Sequence, residues 1–422
     1  MKVFLVGGAV RDEIMGYVCK DRDYVVVGST HDEMIAAGFE QVGAAFPVYL
    51  HPETKEEYAL ARTEQSTGPG YHDFEVVFSP DVTIEQDLAR RDLTINAIAK
   101  DLDTGDYIDP FGGIADINNK LLRAVHSKIM LEDPLRVYRL ARLFARFGGD
   151  FKIEYSTLGV CYVASNHLVS LPKERKMAEI RKCFEDQSWL NKPSLMIEML
   201  AGLGEFPEVA ALKGALQPEA HHPEGDAYVH TMLCLDYAQM MQVGADVKWA
   251  VLCHDLGKVQ FFTRGNLHGH EAGGLPHVRS LNERFGVPNK WADLALRVCE
   301  EHTRLHRIAD MGAKKVYDLM VKVRANKDNE FATKFVEACI CDARGRGPDK
   351  MLDAYPAADV FWACTVELQN NRDEISEQCR EIAESFKGRP QLVAEHVKKL
   401  KVGYVARALS RVKSEIKQRG DE

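Results

Sequence analysis

The chain has 422 residues, of which 45% are hydrophobic and 28% are charged, and its formal net charge is −9. This length predicts two to four domains, and this composition excludes an intrinsically disordered chain. The net negative charge excludes a protein whose surface is basic all over, although a local strip of basic residues is enough to bind nucleic acid.

The cysteines and the apolar segments indicate the compartment. The ten cysteines include no Cys-x-x-Cys pair, which indicates reduced thiols rather than a disulfide framework. The apolar stretch before Gly7 is too short for a signal peptide, and no apolar run is long enough to cross a membrane. The sequence therefore predicts a cytoplasmic protein that does not associate with membranes.

The N-terminal region, to about residue 110, alternates short β-branched runs with Gly, Pro and Asp. The runs at 3–6, 24–27 and 75–78 predict strands, and the region as a whole predicts a small mixed α/β domain. The Gly and Pro content of residues 66–83 predicts a mobile loop that flanks the third run.

Helical periodicity dominates from about residue 131 onward. Residues 132–147, 173–185 and 192–204 predict helices, and the segment 217–226 predicts a break between helical regions. Near the end, residues 387–419 contain ten Lys or Arg and two Glu. Together with the arginines of the 132–147 segment, this basic strip favours a phosphate-rich partner.

Two aspartates and a glycine pair form the first chemical constellation. Side chains at i and i+2 of a strand point the same way, so Asp21 and Asp23 are expected to share one face and a Mg²⁺ ion. Gly7 and Gly8 let backbone N–H groups approach a triphosphate, and Arg11 adds a charge-assisted contact. This combination is typical of nucleotidyl transfer, in which a 3′-hydroxyl attacks an α-phosphate.

Four ordered motifs resemble those of class II tRNA nucleotidyltransferases, the CCA-adding enzymes of the DNA polymerase beta-like superfamily. The motifs are GGAVRD (7–12), DRDYVVVG (21–28), RRDLTINAIA (90–99) and EDPLRVYRLARLFARF (132–147). The resemblance implies a polymerase that uses CTP and ATP without a nucleic-acid template. It implies that Asp21 and Asp23 hold Mg²⁺ and that Gly8, Arg11, Arg91, Arg136 and Arg139 bind nucleotide. Glu57 is a weaker candidate for a third carboxylate.

The segment EDPLRVYR offers a physical basis for choosing C and A. Asp133 and Arg136 are at i and i+3, so a helix would make them neighbours, with Arg139 one step further. A carboxylate only accepts hydrogen bonds and a guanidinium only donates them, which matches the edges of cytosine and adenine and not those of uracil and guanine. The alternative is a surface ion pair between Glu132 and Arg136. Which arginine reads the base stays open.

A second constellation is rich in histidine. Nine of the fifteen histidines lie between residues 221 and 306. His230, the His254–Asp255 doublet, which precedes a predicted helix stop at Gly257, and the distant Asp342 resemble the metal site of the HD phosphohydrolase superfamily. Imidazole with carboxylate suits a transition metal such as Ni²⁺, Mn²⁺ or Co²⁺. His270 and His302 either add ligands or line the cleft, and His221 and His222 receive no role.

A nucleotidyltransferase followed by an HD domain resembles the bacterial multifunctional CCA-adding enzymes. The resemblance implies an α+β head with a mixed sheet (1–125), an all-helical neck (126–224), an HD domain (225–345) and a basic helical tail (346–422). It also implies tRNA as partner, and phosphatase, 2′-nucleotidase and 2′,3′-cyclic phosphodiesterase activities. Monomer and homodimer both stay open.

Three other functions are considered. A poly(A) polymerase resembles the chain in the first three motifs, but the HD constellation is not typical of that group. A uridylylating regulator also joins a nucleotidyltransferase to an HD domain, but it carries sensor domains for which the residues after Asp342 leave little space. A tRNA-binding module without catalysis is disfavoured by the intact Asp21, Asp23, His254 and Asp255.

Overall fold

A computed structural model describes residues 1–19, 21–42, 47–66, 74–218, 222–262 and 268–420. The chain forms two compact units. The N-terminal unit comprises Met1–Cys183 with Leu190–Glu205, and the C-terminal unit comprises Phe184–Trp189 with Phe206–Glu422. The finer boundaries expected at 125, 224 and 345 stay predictions. Residues 67–73 of the loop expected at 66–83, and residues 219–221 of the break expected at 217–226, lie outside the described residues.

The N-terminal unit is built on a mixed sheet. Its strands are β1 (Lys2–Val6), β2 (Asp23–Val27), β3 (Glu40–Val42), β4 (Val48–Leu50), β5 (Glu57–Leu60), β6 (Arg62–Ser66), β7 (Phe74–Phe78), β8 (Ala99–Asp101), β9 (Tyr107–Ile108), β10 (Leu121–Leu122) and β11 (Lys152–Ile153). Among the described residues, seven strands form one sheet in the order β3-β4-β5-β2-β1-β8-β9. Strand β2 runs antiparallel to β1 and parallel to β5, as a mixed sheet requires.

Both faces of the sheet are covered at its central strands, because apolar side chains point to either side of β1 and β2. Phe4 and Val25 pack with Leu88 in one buried cluster, whereas Val26 packs with Tyr49 in another. Successive side chains of a strand point to opposite faces, so the continuous apolar runs of β1 and β2 bury both faces. This burial fixes the end of β2, where Asp23 lies.

Helices surround the sheet and continue beyond it. The helices that begin in the N-terminal unit are α1 (Gly8–Ile14), α2 (His31–Ala36), α3 (Ile84–Ala89), α4 (Gly113–Asn118), α5 (Ile129–Glu132), α6 (Leu135–Arg146), α7 (Tyr155–Ala164), α8 (Lys173–Glu185) and α9 (Pro193–Gly202). Helix α6 is amphipathic: Val137, Tyr138 and Leu140 are buried, while its arginines lie on the other side.

The regular elements described in the C-terminal unit are helices. Its helices are α10 (Pro207–Ala210), α11 (Ala227–Met240), α12 (Ala245–Cys253), α13 (Lys258–Phe262), α14 (His270–Phe285), α15 (Asn289–His306), α16 (Ala313–Lys322), α17 (Asn329–Arg344), α18 (Pro356–Asn370), α19 (Arg372–Ser385) and α20 (Pro390–Gly420). Across the described ranges, no helix combines the length and apolarity needed to cross a bilayer. The mixed sheet followed by helices confirms the predicted α+β class.

A close approach of two glycines sets the distance between α14 and the turn after α12. A Cβ on Gly257 would lie 2.0 Å from the carbonyl oxygen of His270 and 2.5 Å from the amide nitrogen of Gly274. Gly257 was expected to stop a helix, but α12 already ends at Cys253, and Gly257 does not have the positive φ that is common for a glycine at a helix end. Gly257 is therefore required for packing rather than for a turn.

Substitution of Gly257 tests this packing. We expect Gly257→Ala to destabilise the C-terminal unit by about 1–3 kcal/mol, because backbone atoms cannot yield to an added methyl group as a flexible side chain can. Gly403→Ala in α20 is the matched control, since its Cβ would meet no atom within 4 Å. Chemical denaturation followed by circular dichroism compares the two variants, and equal stabilities would contradict the packing argument.

Candidate active sites

A cleft in the N-terminal unit has a volume of about 740 Å³. It brings together most of the residues that the sequence assigned to nucleotide or Mg²⁺ binding in this unit, namely Gly7, Gly8, Arg11, Asp21, Asp23, Arg91, Asp133, Arg136 and Arg139. Its lining contains ten Lys or Arg and four Asp side chains. The cleft is thus strongly basic apart from its carboxylates, which suits a polyphosphate carrying a divalent cation.

Asp21 and Asp23 both line this cleft and both are exposed. The sequence predicted that both residues lie in one strand and point the same way. Only Asp23 lies in β2, which begins there, and Asp21 lies in the irregular segment before it. The two carboxylates therefore share a cleft because of the path of this segment rather than because of strand alternation. Glu57 pairs with Asp23 in register on the parallel strand β5, but it is not among the described lining residues of the cleft.

The Gly7–Gly8 turn lies beneath the guanidinium of Arg91. Gly7 has φ +71°, and a Cβ there would lie 2.8 Å from Nη1 of Arg91. Arg91 donates through Nη2 to Asp87 at 3.2 Å, but its buried Nε has no hydrogen-bond partner among the described residues. Burial lowers the pKa of Arg91 despite the nearby Asp87 carboxylate. A buried donor beside a glycine turn is suited to an anionic ligand.

Arg11 lines the cleft, but its guanidinium is engaged with neighbouring side chains. Nε and Nη2 donate to Asp12 at 2.9 and 2.7 Å, and Nη1 donates to Asn96 at 2.5 Å. The second oxygen of Asp12 accepts from Arg146 at 3.0 Å. This network could not be predicted from the sequence, because Asn96 and Arg146 are distant from Arg11 along the chain. The expected nucleotide contact of Arg11 stays a prediction.

Asp133 does not occupy the helical position that the sequence predicted. It precedes α6 with an extended backbone (φ −133°, ψ 99°), so it does not share a helix face with Arg136. Its carboxylate accepts from the amide of Leu135 and from Nη2 of Arg175, both at 3.1 Å. Pro134 explains the interruption, because a proline disfavours helical backbone at the residue before it. Arg175 was not anticipated.

Arg139 is fixed by an ion pair with Asp92, the third residue of the RRD motif. Its Nε donates to Asp92 Oδ2 at 2.7 Å, while Asn96 donates to Oδ1 at 2.9 Å. Burial alone would raise the pKa of Asp92, but Arg139 and Asn96 hold it well below its ordinary value. Asp92 thus joins the RRD motif to α6. The sequence placed both motifs near the nucleotide without revealing this contact.

The histidine constellation forms a second, buried centre in the C-terminal unit. His230 lies on α11, His254 and Asp255 follow α12, and Asp342 lies on α17. His230 Nε2 is 3.1 Å from Asp342 Oδ1, and His254 Nε2 is 3.0 Å from Asp255 Oδ2. The crossed separations, His230 to Asp255 and His254 to Asp342, are both 3.8 Å. Four ligands at about 2.1 Å from a tetrahedral ion lie about 3.4 Å apart, so the set fits a metal.

Neighbouring groups orient these ligands. His254 Nδ1 is 2.7 Å from the carbonyl of Val251, and His230 Nδ1 is 2.7 Å from Glu224 Oε1. Burial would raise the pKa of Glu224, but hydrogen bonds from His230 and His222 lower it to about 2. Glu224 is therefore an ionised carboxylate that turns Nε2 of His230 toward the centre, an arrangement common around metal-binding histidines.

Several residues of this centre were missed or left open by the sequence. Cys234 Sγ lies 3.5 Å from His230 Nε2, and His306 Nε2 lies 2.6 Å from Asp342 Oδ2. His270 and His302 both lie beside Asp255. The segment HHPEGD could have indicated Glu224 by its nearness to His230, although His221 lies outside the described residues.

Two family models match the chain. The Poly A polymerase head domain matches residues 3–123, and the HD domain matches residues 227–342. Two relatives are named multifunctional CCA protein. The protein from Paraburkholderia phytofirmans is 43% identical over 361 residues, covering 82% of this chain and 86% of its own. The protein from Pasteurella multocida is 41% identical over 395 residues, covering 90% and 92%.

Solved structures of CCA-adding enzymes have a similar fold at low identity. An apo form is 19% identical with a TM-score of 0.60, covering 98% of this chain and 89% of its own. A complex with CTP is 20% identical with a TM-score of 0.59, covering 98% and 91%. The Thermotoga maritima enzyme complexed with tRNA-CCA is 19% identical with a TM-score of 0.59, also covering 98% and 91%. From its curated relatives and its two matched domains, the chain belongs to the family of multifunctional CCA proteins.

Proposed function

We propose that the chain adds C, C and A to the 3′ end of tRNA from CTP and ATP, and that its HD centre hydrolyses phosphate esters. The family and the named relatives support the first activity. The observation that carries it is the cleft in which two exposed aspartates face a glycine turn and ten basic side chains. The proposed partners are therefore tRNA, CTP and ATP, and the proposed compartment is the cytoplasm.

In the N-terminal cleft, Asp21 and Asp23 would hold Mg²⁺ together with the phosphates of the nucleotide. Bound Mg²⁺ supplies a Lewis acid that favours attack of the tRNA 3′-hydroxyl on the α-phosphate. Arg91 offers its unpartnered Nε to the triphosphate next to the backbone amides of Gly7 and Gly8. Binding and orienting the reactants in this way supplies much of the catalysis that phosphoryl transfer requires.

The base is proposed to be read by Asp133 with Arg136 or Arg139. Asp133 can only accept hydrogen bonds, as the amino groups of cytosine and adenine require. Arg175 and the Leu135 amide hold the Asp133 carboxylate at the cleft. Arg139 is committed to Asp92 through Nε, which leaves its other nitrogens for a ligand.

The HD centre is proposed to hold a transition metal such as Ni²⁺, Mn²⁺ or Co²⁺ through His230, His254, Asp255 and Asp342. Such an ion supplies a hydroxide nucleophile from bound water. The proposed substrates are phosphomonoesters, 2′-nucleotides and 2′,3′-cyclic phosphates. A tRNA end blocked by phosphate lacks the free 3′-hydroxyl that the first site uses, so hydrolysis would restore a substrate for addition.

The remaining assignments extend this proposal. The domain limits 1–125, 126–224, 225–345 and 346–422 are proposed as head, neck, HD domain and tail. The basic strip that includes most of α20 is proposed to bind the phosphate backbone of tRNA, since phosphate contacts from Lys and Arg supply most sequence-independent affinity.

Loss of one head carboxylate tests the polymerase assignment. We expect Asp21→Asn to reduce CTP incorporation into tRNA lacking its last three nucleotides by at least about 100-fold, because a Mg²⁺ ligand contributes several kcal/mol to transfer. Asp32→Asn, an exposed aspartate on α2, is the matched control and is expected to be unaffected. Labelled nucleotide and denaturing gels measure both. Full activity of Asp21→Asn would contradict the site, and long tails made from ATP alone would identify a poly(A) polymerase.

Selectivity for C over U tests the base-reading role of Asp133. We expect Asp133→Asn to lower the ratio of kcat/KM for CTP over UTP by at least about 10-fold, because an amide can donate to the uracil carbonyl. Asp150→Asn, an exposed residue paired with Lys120, is the matched control. An unchanged ratio with reduced overall rate would assign Asp133 a purely structural role.

The two centres are expected to be separable. His254→Gln should reduce hydrolysis of 2′,3′-cyclic AMP by at least about 100-fold and leave CTP addition to an intact 3′-hydroxyl unchanged, because the two ligand sets share no residue. Asp21→Asn should do the reverse. Loss of both activities in either variant, with native circular dichroism, would contradict two independent sites.

A further inference from the structure

Helix α7 (Tyr155–Ala164) has its small side chains on one side and its large apolar side chains on the other. The side that packs into the N-terminal unit carries Thr157, Cys161 and Ala164, which are buried. The larger side chains lie on the outer side: Tyr155, Leu158, Tyr162 and Val163 are 92%, 39%, 71% and 53% exposed. A helix that packs by one side normally buries its large apolar residues and exposes polar ones. The outer side of α7 is therefore an apolar surface that the described residues of the N-terminal unit leave exposed.

The segment that contains this helix carries no acidic or basic residue other than one histidine, His167. Residues 155–172 contain no Asp, Glu, Lys or Arg, although 28% of the residues of the whole chain are charged. Val169, in the short 3-10 helix Ser165–Ser170 that follows α7, is a further exposed apolar residue. A nucleic-acid interface requires Lys or Arg beside the phosphates, which this segment does not offer. Large exposed apolar side chains without charges indicate an interface with protein instead.

Gly159 lies in the middle of the outer side of α7. Tyr155, Gly159 and Tyr162 are at i, i+4 and i+7, and together with Leu158 and Val163 they form the outer face of the helix. A Cβ on Gly159 would meet no atom within 4 Å, and its φ is not positive. Alanine would therefore fit among the described residues, and it is more favourable than glycine inside a helix. A second helix that crosses α7 at Gly159 would account for the glycine, because the absent side chain lets two backbones approach closely.

We propose that the outer face of α7 is a self-association surface, through which two copies of the chain pair with their α7 helices antiparallel and crossing at Gly159. A twofold axis through the crossing brings the same face of each copy together, as in most homodimers. Gly159 is four residues after Tyr155 and three before Tyr162, so this pairing places Tyr155 of one copy against Tyr162 of the other. Tyrosines near the centre of an interface are among the residues that contribute most to affinity.

Charge and size both favour a second copy of the chain as the occupant of this face. Each copy has a formal net charge of −9, so two copies repel each other unless they meet through uncharged surface, which the segment 155–172 provides. Buried aromatic side chains contribute about 150–250 Å² each, and the smaller specific interfaces bury less than about 600 Å² on each partner. Two tyrosines with Leu158 and Val163 are therefore enough for a dimer of that class.

Sedimentation equilibrium of the full-length chain over a wide range of concentrations measures the dissociation constant of the dimer. We expect Tyr162→Glu to raise this constant at least about 30-fold, because a central aromatic contact is lost and a charge is placed on an apolar face. Leu352→Glu changes a 94% exposed leucine of the C-terminal unit and is the matched control, which should leave the constant unchanged. Circular dichroism checks that both variants fold. The described residues that line the N-terminal cleft include none from α7, so Tyr162→Glu does not alter that site.

A cysteine at the crossing tests the geometry of the pair. On a twofold axis the same residue of both copies meets, so Gly159→Cys should form a disulfide-linked dimer under mild oxidation, visible on a non-reducing gel. Gly403→Cys, in α20, is the matched control, because a Cβ there also meets no atom within 4 Å. Wild type reports any link made by Cys19 and Cys379, since the other cysteines are buried.

Replacing the glycine by alanine separates its effect on the helix from its effect on the pair. Gly159→Ala should raise the midpoint of chemical denaturation in dilute solution, because alanine favours the helix. It should also raise the dissociation constant of the dimer, because the added methyl groups obstruct the crossing.

A wild-type chain that stays monomeric at every concentration, or a dimer that Tyr162→Glu leaves unchanged, overturns the proposal. A dimer in which Gly159→Cys links no more than Gly403→Cys does overturns the crossing at Gly159. If wild type is monomeric and Tyr162→Glu binds tRNA more weakly than Leu352→Glu does, the outer face of α7 binds RNA and self-association is overturned.

Discussion

Both sites depend on one constraint. Their carboxylates lie among positively charged side chains that do not neutralise them completely. In the N-terminal cleft, Asp92 and Asp133 are paired with Arg139 and Arg175, whereas Asp21 and Asp23 are exposed to the cleft. The pairing fixes these arginines along the wall of the cleft. In the proposed function, the exposed pair would hold a hydrated Mg²⁺ ion, which keeps several of its waters and takes few protein ligands. The paired carboxylates and the two proposed as Mg²⁺ ligands are thus distinguished by what neutralises them.

The same constraint holds in the HD centre, where the charged groups are buried. Its carboxylates are almost fully shielded from water, so their charge must be balanced by the neighbouring imidazoles and a lysine. Burial would raise the pKa of Asp255, but His254 and Lys258 hold it well below its ordinary value. Glu224 and the backbone carbonyls around the histidines select which ring nitrogen faces inward. A metal with a preference for nitrogen and oxygen ligands is the natural cation for such a site.

Much of this could be predicted from the sequence because it is local. The β-branched runs predicted β1 and β2 to within a residue, and the ordered motifs predicted residues that line one cleft. The failures concern local geometry and distant pairing. Pro134 separates Asp133 from α6, and no pattern joins Asp133 to Arg175, which is 42 residues away. Gly257 looked like a helix stop because glycine is used both for turns and for close packing, and only the fold distinguishes the two uses.

The central claim is that Asp21 and Asp23 bind one divalent ion beside the Gly7–Gly8 turn. Crystals of the chain soaked with Mn²⁺ and a non-hydrolysable CTP analogue test it most directly, through anomalous scattering. The account predicts a Mn²⁺ peak within coordination distance of both carboxylates and of the triphosphate, with phosphate oxygens next to the glycine amides and Arg91. A triphosphate bound elsewhere, or an ion that contacts neither aspartate, would contradict it.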